Sequence, residues 1–443
     1  MAKILLKNGE IASSGGVFRK DILIEEDKIS NILDKGEKVG DAEEIECKGK
    51  VILPGVIDAH VHFREPGATH KEDFESGSKA AVSGGVTTVC DMPNTNPSTI
   101  TLGNLKSKRE LIKGKSYANY LFYIGYNGKN IDEINKTSNI SGVKVYCADS
   151  TGNLGISSME LENAFSDIDR DKLLVFHAED GECVSRHKEE YFVEFRGREN
   201  DLPASIHSKI RPPECAVKMV KRLCDLAKIH NRPIHICHVS TSEELEIIAE
   251  HRKFGVTCEI APHHLTLSED DYDRFDNFIK VNPPVRDRFE IFGLWKNIKA
   301  GVVDNIATDH APHLKEEKEK PYLEAPAGIP GVEMMLPILL NTVINEGMTF
   351  EELAILCCER PAEIFRMKNK GFIKKGYDAD LVIIDKEIEK ELKNEDVVSK
   401  CGWSPYSGSI FKGWPIMTFV NGELVYEKGK IIGKPNGREV VTT

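Results

Sequence analysis

The chain has 443 residues, with 59 Lys and Arg against 71 Asp and Glu and a formal charge of -12. That length exceeds one small core and points to a large barrel with an appendage, or to two or three ordinary domains. The acidic balance opposes nucleic acid and anionic membranes, so an anionic ligand needs a local cationic site.

The opening "MAKILLKNGEIAS" lacks the basic-then-apolar layout of a signal peptide, and no apolar run reaches the roughly 18 residues of a membrane span. A soluble, cytoplasmic protein is expected. The 11 cysteines are odd in number and form no CxxC pair, and Cys90, Cys147, Cys237 and Cys258 sit inside apolar runs. They read as reduced, buried thiols.

Residues 1–53 alternate short apolar runs such as "KILLKNGEI" and "KDILIEEDKISNIL" with Gly, Lys and Asp turns, the pattern of short antiparallel strands. From about 54 to 367 the texture changes. Eight apolar runs with polar ends, "GVIDAHVHF", "VTTVCDMPN", "NYLFYIGYN", "GVKVYCAD", "LLVFHAED", "PIHICHVS", "VTCEIAPHH" and "VDNIATDHAP", alternate with charged segments of helical period. Eight β/α units in series predict a closed, TIM-like (β/α)8 barrel with its site at the C-terminal strand ends. Residues 368–443 return to strands and Asn-Gly or Lys-Gly turns in "GYDADLVIID", "GWPIMTFVNGELVYEKGKII" and "GREVV". Two β-rich ends around a barrel predict one small β-sandwich built from both termini.

Side chains alternate along a strand, so His60 and His62 share a face, opposite Ala59, Val61 and Phe63, and point toward the barrel axis. A lone strand histidine is usually a satisfied core residue. Here His177, His238 and Asp309 also stand at the polar ends of their own runs, and imidazoles with a carboxylate suit Zn²⁺ or a similar divalent ion. The same parity turns His235 and Cys237 outward when His238 points inward, and sets His310 aside from Asp309, although strand-end bulges weaken the rule.

"DAHVHFREPG", "DMPNT", "ICHVST", "APHHL", "NPPVR" and "IATDHAPH", in this order, resemble the dihydroorotases of the amidohydrolase superfamily, and "KGYDADLVIID" resembles that superfamily's return into the small β domain. The resemblance implies zinc-dependent, reversible conversion of dihydroorotate to N-carbamoyl-aspartate in pyrimidine synthesis. It implies two zinc ions per subunit, with His60, His62 and Asp309 on one and His177 and His238 on the other. The bridging ligand would be Lys144, carboxylated on its amine, and burial favours the neutral amine that carboxylation needs. Asp149 is the rival bridge, on the opposite face of a regular strand. Two metals supply hydroxide near neutral pH, and Asp309 would shuttle the proton.

Arg64, two residues beyond His62, can present a bidentate fork to the substrate carboxylate. Asn94 and His313 resemble further carboxylate contacts, and Asn282 with the backbone of Ala327 and Gly328 resembles contacts to the ring. Each alone is as readily a turn or cap residue. The loop over 148–158 is a candidate lid, or an ordinary surface loop. The alternatives are a hydantoinase or allantoinase, whose rings lack the carboxylate, and a non-catalytic barrel scaffold. A homo-oligomer or association with aspartate transcarbamoylase is a further expectation from the resemblance.

Overall fold

The structure is a computed structural model and describes residues 3–148 and 154–443. Asp149, and with it the middle of the candidate lid, lies outside the described residues.

Eight parallel strands follow the chain in order around a barrel. They are β1 Val56–Val61, β2 Val86–Asp91, β3 Asn119–Gly125, β4 Gly142–Tyr146, β5 Leu174–His177, β6 Ile234–Ile236, β7 Val256–Ile260 and β8 Asn305–Ile306. Every residue of β1 to β5 is buried, because helices cover the outer face while side chains fill the lumen. The helices begin where polar residues can cap them. Asp73 accepts from the Ser76 amide at the start of helix Phe74–Ser83, and Thr241 with Glu244 forms a reciprocal box opening helix Ser242–His251.

The barrel closes just past β8, where the His62 amide donates to the His310 carbonyl at 2.8 Å. Asp58 clasps the same seam by accepting from both the amide and the hydroxyl of Thr308.

Both ends of the chain build the appended sandwich. A four-stranded sheet of N-terminal strands faces a seven-stranded sheet in which Val51–Pro54 pairs with Leu381–Glu391. Leu6, Ile22, Ile52, Leu381 and Phe419 fill the space between. The expectation of purely antiparallel strands is corrected twice, since Lys3–Lys7 runs parallel to Ala42–Glu46 and Glu10–Ser13 parallel to Val51–Pro54. These partners are joined by connections long enough to reverse direction, not by hairpin turns.

"GREVV" does not join the sandwich. The Arg438 carbonyl accepts from the Tyr120 amide and the Val440 amide donates to the Tyr120 carbonyl, so the segment lies along β3 at the barrel's lower end. There Val440 joins Ile57, Leu121, Val175 and Phe365 in the lumen cluster. Val440 is buried there, while the neighbouring Val441 stays exposed.

The cysteines depart from expectation at one pair. Nine are free and buried, whereas Cys183 and Cys215 form a disulfide across two helix starts whose Cα atoms are 5.4 Å apart.

Candidate active site

The histidines reach the lumen through irregular backbone. The pairing of β1 with β2 slips between Asp58 and Val61. Ala59 therefore packs in the lumen with Ile57, Cys90 and Tyr123, contrary to simple alternation, while His60 and His62 above it also face inward. The parity rule fails again at β6, which ends at Ile236. His235 and Cys237 point into the barrel, where they touch Glu259 and Lys144 respectively. His238 still faces the lumen because its backbone turns left-handed, at φ 35°. Arg64 (61°) and Asp309 (49°) share that conformation, which costs a non-glycine residue roughly 1–3 kcal/mol and gathers at functional sites. His310 is directed away from the lumen, as expected, and stands edge-on to Phe63.

At the top of the lumen these side chains line a cavity of about 40 Å³ that also contains Lys144, Tyr146, Asn94, Asn282, Ala327 and Gly328. Asp309 Oδ1 lies 3.2 Å from His60 Nε2 and 3.0 Å from His62 Nε2. His177 Nδ1 faces His238 Nε2 at 3.0 Å. Burial, aided by His177, holds the His238 imidazole well below its usual range. Asp309 is held well below the carboxylate range by His60, His62 and His238, against the effect of its burial. Lys144 is fully buried on β4, with Nζ 2.8 Å from Cys237 Sγ and no ion pair to a carboxylate among the described residues.

A surrounding layer orients these groups, and most of it escaped the sequence reading. Glu259 receives His60 Nδ1 at 2.6 Å and His235 Nε2 at 3.2 Å, which leaves His60 Nε2 directed at Asp309. Glu179 receives His177 Nε2 at 3.0 Å and pairs with Arg211. Against its burial, Arg211 and His177 hold Glu179 down to about 2. Acidic residues inside the apolar run "TCEIA" and beside the histidine in "HAED" were the available signals. Asn94 Oδ1 faces His62 Nδ1 at 2.7 Å, so it supports that imidazole as well as lining the cavity.

The other wall is cationic. Arg64 is buried, with Nε on the Pro312 carbonyl at 3.2 Å and Nη2 3.1 Å from His313 Nε2. His313 stands behind Arg64 and lines an outer groove of about 1510 Å³ that shares Asn282 and Ala327 with the cavity. His207, which the sequence reading missed, lies 2.9 Å from Asn282 Oδ1 and accepts from the Tyr322 hydroxyl at 2.8 Å. Burial holds this imidazole well below its usual range, so as the neutral tautomer it donates to Asn282.

The segment over 322–328 is held by two buried lysines. Lys280 Nζ donates to the carbonyls of Tyr322 and Ala325 at 2.6 Å each, and Lys318 Nζ to those of Pro326 at 2.8 Å and Gly328 at 2.9 Å. Gly328 has φ 134°, and a Cβ there would lie 2.5 Å from the Ala311 carbonyl oxygen. Only glycine fits this close approach.

The donor set fits a divalent metal. Ligand atoms of His60, His238 and Asp309 lie within 4.8 Å of one another, and His238 Nδ1 is buried with no hydrogen-bond partner among the described residues. Closely apposed imidazoles and a carboxylate in a buried cavity form a donor set that a borderline-soft cation binds. His60, Cys237 and Glu259 form a second such group one layer lower.

A family model, described as the amidohydrolase family, matches residues 51–425. The chain belongs to that family. Among curated relatives, the dihydroorotase of Pyrococcus furiosus is 38% identical over 418 residues, 94% of this chain and 91% of that protein. The dihydroorotase of Pyrococcus abyssi is 37% identical over 98% of this chain and 97% of its own length. Among solved structures, L-hydantoinase (dihydropyrimidinase) from Arthrobacter aurescens superposes with a TM-score of 0.94 at 28% identity, covering 100% of both chains. This amidohydrolase is therefore a hydrolase acting on cyclic amides.

Proposed function

We propose that the protein interconverts L-dihydroorotate and N-carbamoyl-L-aspartate, the ring-closing step of pyrimidine synthesis, using two zinc ions per subunit. The observation that carries this reading is Arg64, a buried guanidinium opening on the cavity beside the metal-type donors. A neutral hydantoin gives such a buried cation nothing to neutralise. Dihydroorotate carries a carboxylate that does.

His60, His62, His177, His238 and Asp309 would hold the metals, with Lys144 carboxylated on Nζ as the bridge. A buried ammonium without a carboxylate partner is costly, and carboxylation replaces it with an anion suited to metals. Bound there, the metal pair supplies Lewis acidity and an activated water. Arg64 fixes the substrate carboxylate, and the Asn282 amide with the backbone around Ala327 and Gly328 holds the ring. Asp309 takes a proton from the attacking water and delivers it to the departing ring nitrogen. In the synthetic direction Asp309 carries the proton back. A cytoplasmic location, a homo-oligomer and association with aspartate transcarbamoylase belong to this proposal as expectations carried over from the sequence resemblance.

The test is ultraviolet-monitored turnover of dihydroorotate, hydantoin and allantoin by zinc-loaded protein and its Arg64→Ala variant. Charge-assisted hydrogen bonds contribute roughly 1.5–3 kcal/mol each, so losing two costs about 3–6 kcal/mol, or roughly two to four powers of ten in kcat/KM for dihydroorotate. Turnover of a neutral ring with Arg64 dispensable would instead assign a hydantoinase, the reading that the structural neighbour favours. No turnover of any ring by metal-loaded protein would refute both.

A further inference from the structure

Outside the lumen, a third cluster of metal-type donors sits where two helices begin. Cys183 lies in the first turn of helix Gly181–Phe192, and its disulfide partner Cys215 in the first turn of helix Pro213–His230. His187 is one turn beyond Cys183 on the same helix face, and Glu214 immediately precedes Cys215. The ligand atoms of these four residues lie within 4.8 Å of one another. His187 Nε2 is 2.7 Å from Glu214 Oε1, and Cys183 Sγ is 3.7 Å from the same oxygen. A cation already occupies this neighbourhood. Arg186 Nη2 lies 2.8 Å from Glu214 Oε1, 3.2 Å from His187 Nε2 and 4.0 Å from Cys183 Sγ.

We propose that Cys183, His187, Glu214 and Cys215 form a thiolate-containing site for a soft divalent cation such as Zn²⁺, available only when the disulfide is open. Two sulfurs, an imidazole and a carboxylate are a tetrahedral zinc set. At the usual zinc–sulfur distance the two sulfurs of such a site stand about 3.8 Å apart. Side-chain rotation from the observed Cα separation of 5.4 Å reaches that spacing without moving the helices. The step balances with a dithiol reductant. The dithiol gives two electrons and two protons to the protein disulfide and becomes a cyclic disulfide itself. Metal binding then releases the two thiol protons to solvent, and the Arg186 guanidinium yields its place to the metal.

The cluster is tied to the catalytic cavity through Asp180, three residues past His177. The Asp180 amide donates to the Cys215 carbonyl at 2.9 Å, and Asp180 Oδ1 accepts from the Cys183 amide at 2.8 Å. Arg186, Asp180 and Met219 also line the outer groove. Disulfide and metal are thus two alternative fastenings of one wall of that groove.

The experiment uses zinc-filled protein, reduced with a dithiol that is removed anaerobically, then titrated with Co²⁺. Wild type is expected to bind one further cobalt per protomer with near-ultraviolet thiolate-to-cobalt charge transfer, and to show no such band before reduction. Cys183→Ser/Cys215→Ser is expected to lack the band, and any contribution from Cys237 cancels in that comparison. His187→Ala and Glu214→Gln keep the disulfide and its support of the fold. After reduction they are expected to bind cobalt at least roughly tenfold more weakly. A reduced wild-type spectrum identical to that of the double serine variant would overturn the proposal. So would wild-type affinity in both His187→Ala and Glu214→Gln.

Discussion

Glu259 makes the sharpest demand on the proposed metal centre. Its Oε1 lies 2.6 Å from His60 Nδ1, and both side chains are 2% exposed, so the hydrogen bond is dry and charge-assisted. It fixes the tautomer that leaves His60 Nε2 free for metal. In Glu259→Gln an amide oxygen can still accept from Nδ1, but the bond becomes neutral. The difference between charge-assisted and neutral hydrogen bonds is about 1–1.5 kcal/mol, which converts to roughly 5- to 15-fold weaker zinc retention. In Glu259→Leu the acceptor is gone and a buried N–H is orphaned. The loss rises to about 3 kcal/mol, roughly 100-fold. Competition against a fluorescent zinc chelator, with metal per protomer counted, reads both values. Wild-type zinc retention in the leucine variant, or equal losses in the two variants, would refute this assignment of Glu259.

Three further outcomes are expected. Lys318→Met strips the donor from the Pro326 and Gly328 carbonyls, so it should raise KM for dihydroorotate more than it lowers kcat, at a stability cost of about 1–3 kcal/mol in thermal-shift assays. Glu244 is buried and its carboxyl is pushed from 4.5 up to about 7 despite the neighbouring Arg286. The folded state therefore holds this proton more tightly than the unfolded chain, and stability falls as pH rises from about 4.5 through about 7. Relative to Glu244→Gln, wild type should lose up to ~3 kcal/mol between pH 5 and 7.5 in chemical denaturation, and parallel curves would contradict this. Stripping the metals with a chelator should lower stability by about 2.7 kcal/mol per site for each site held at 100 times its Kd, restored by zinc and not by magnesium.

The barrel was legible because each buried strand needed an unbroken apolar run and each run ended in polar residues. β1 to β8 fall inside the eight runs read from the sequence, although β6 and β8 shrink to Ile234–Ile236 and Asn305–Ile306. Alternation reads side-chain direction only on regular strands, so it failed where β1 slips register at Asp58 and where β6 ends before Cys237. Glu259 and Glu179 are separated in sequence from most of the histidines and cations that keep them ionised, so their purpose appears only in three dimensions. The Cys183–Cys215 pair is 32 residues apart, and nothing in that spacing distinguishes it from the nine free thiols.

The left-handed backbone at Arg64, His238 and Asp309 places the site in opposition to the rest of the fold. A glycine at any of these positions would relax the main chain by roughly 1 kcal/mol relative to alanine. A triple glycine variant, devoid of function, should therefore tolerate heat better than the triple alanine variant, once no metal is present to bind. Mutational drift judged by durability alone would erase these three residues. A non-glycine residue at each of these three positions is explained by the chemistry of its side chain and not by the stability of the fold.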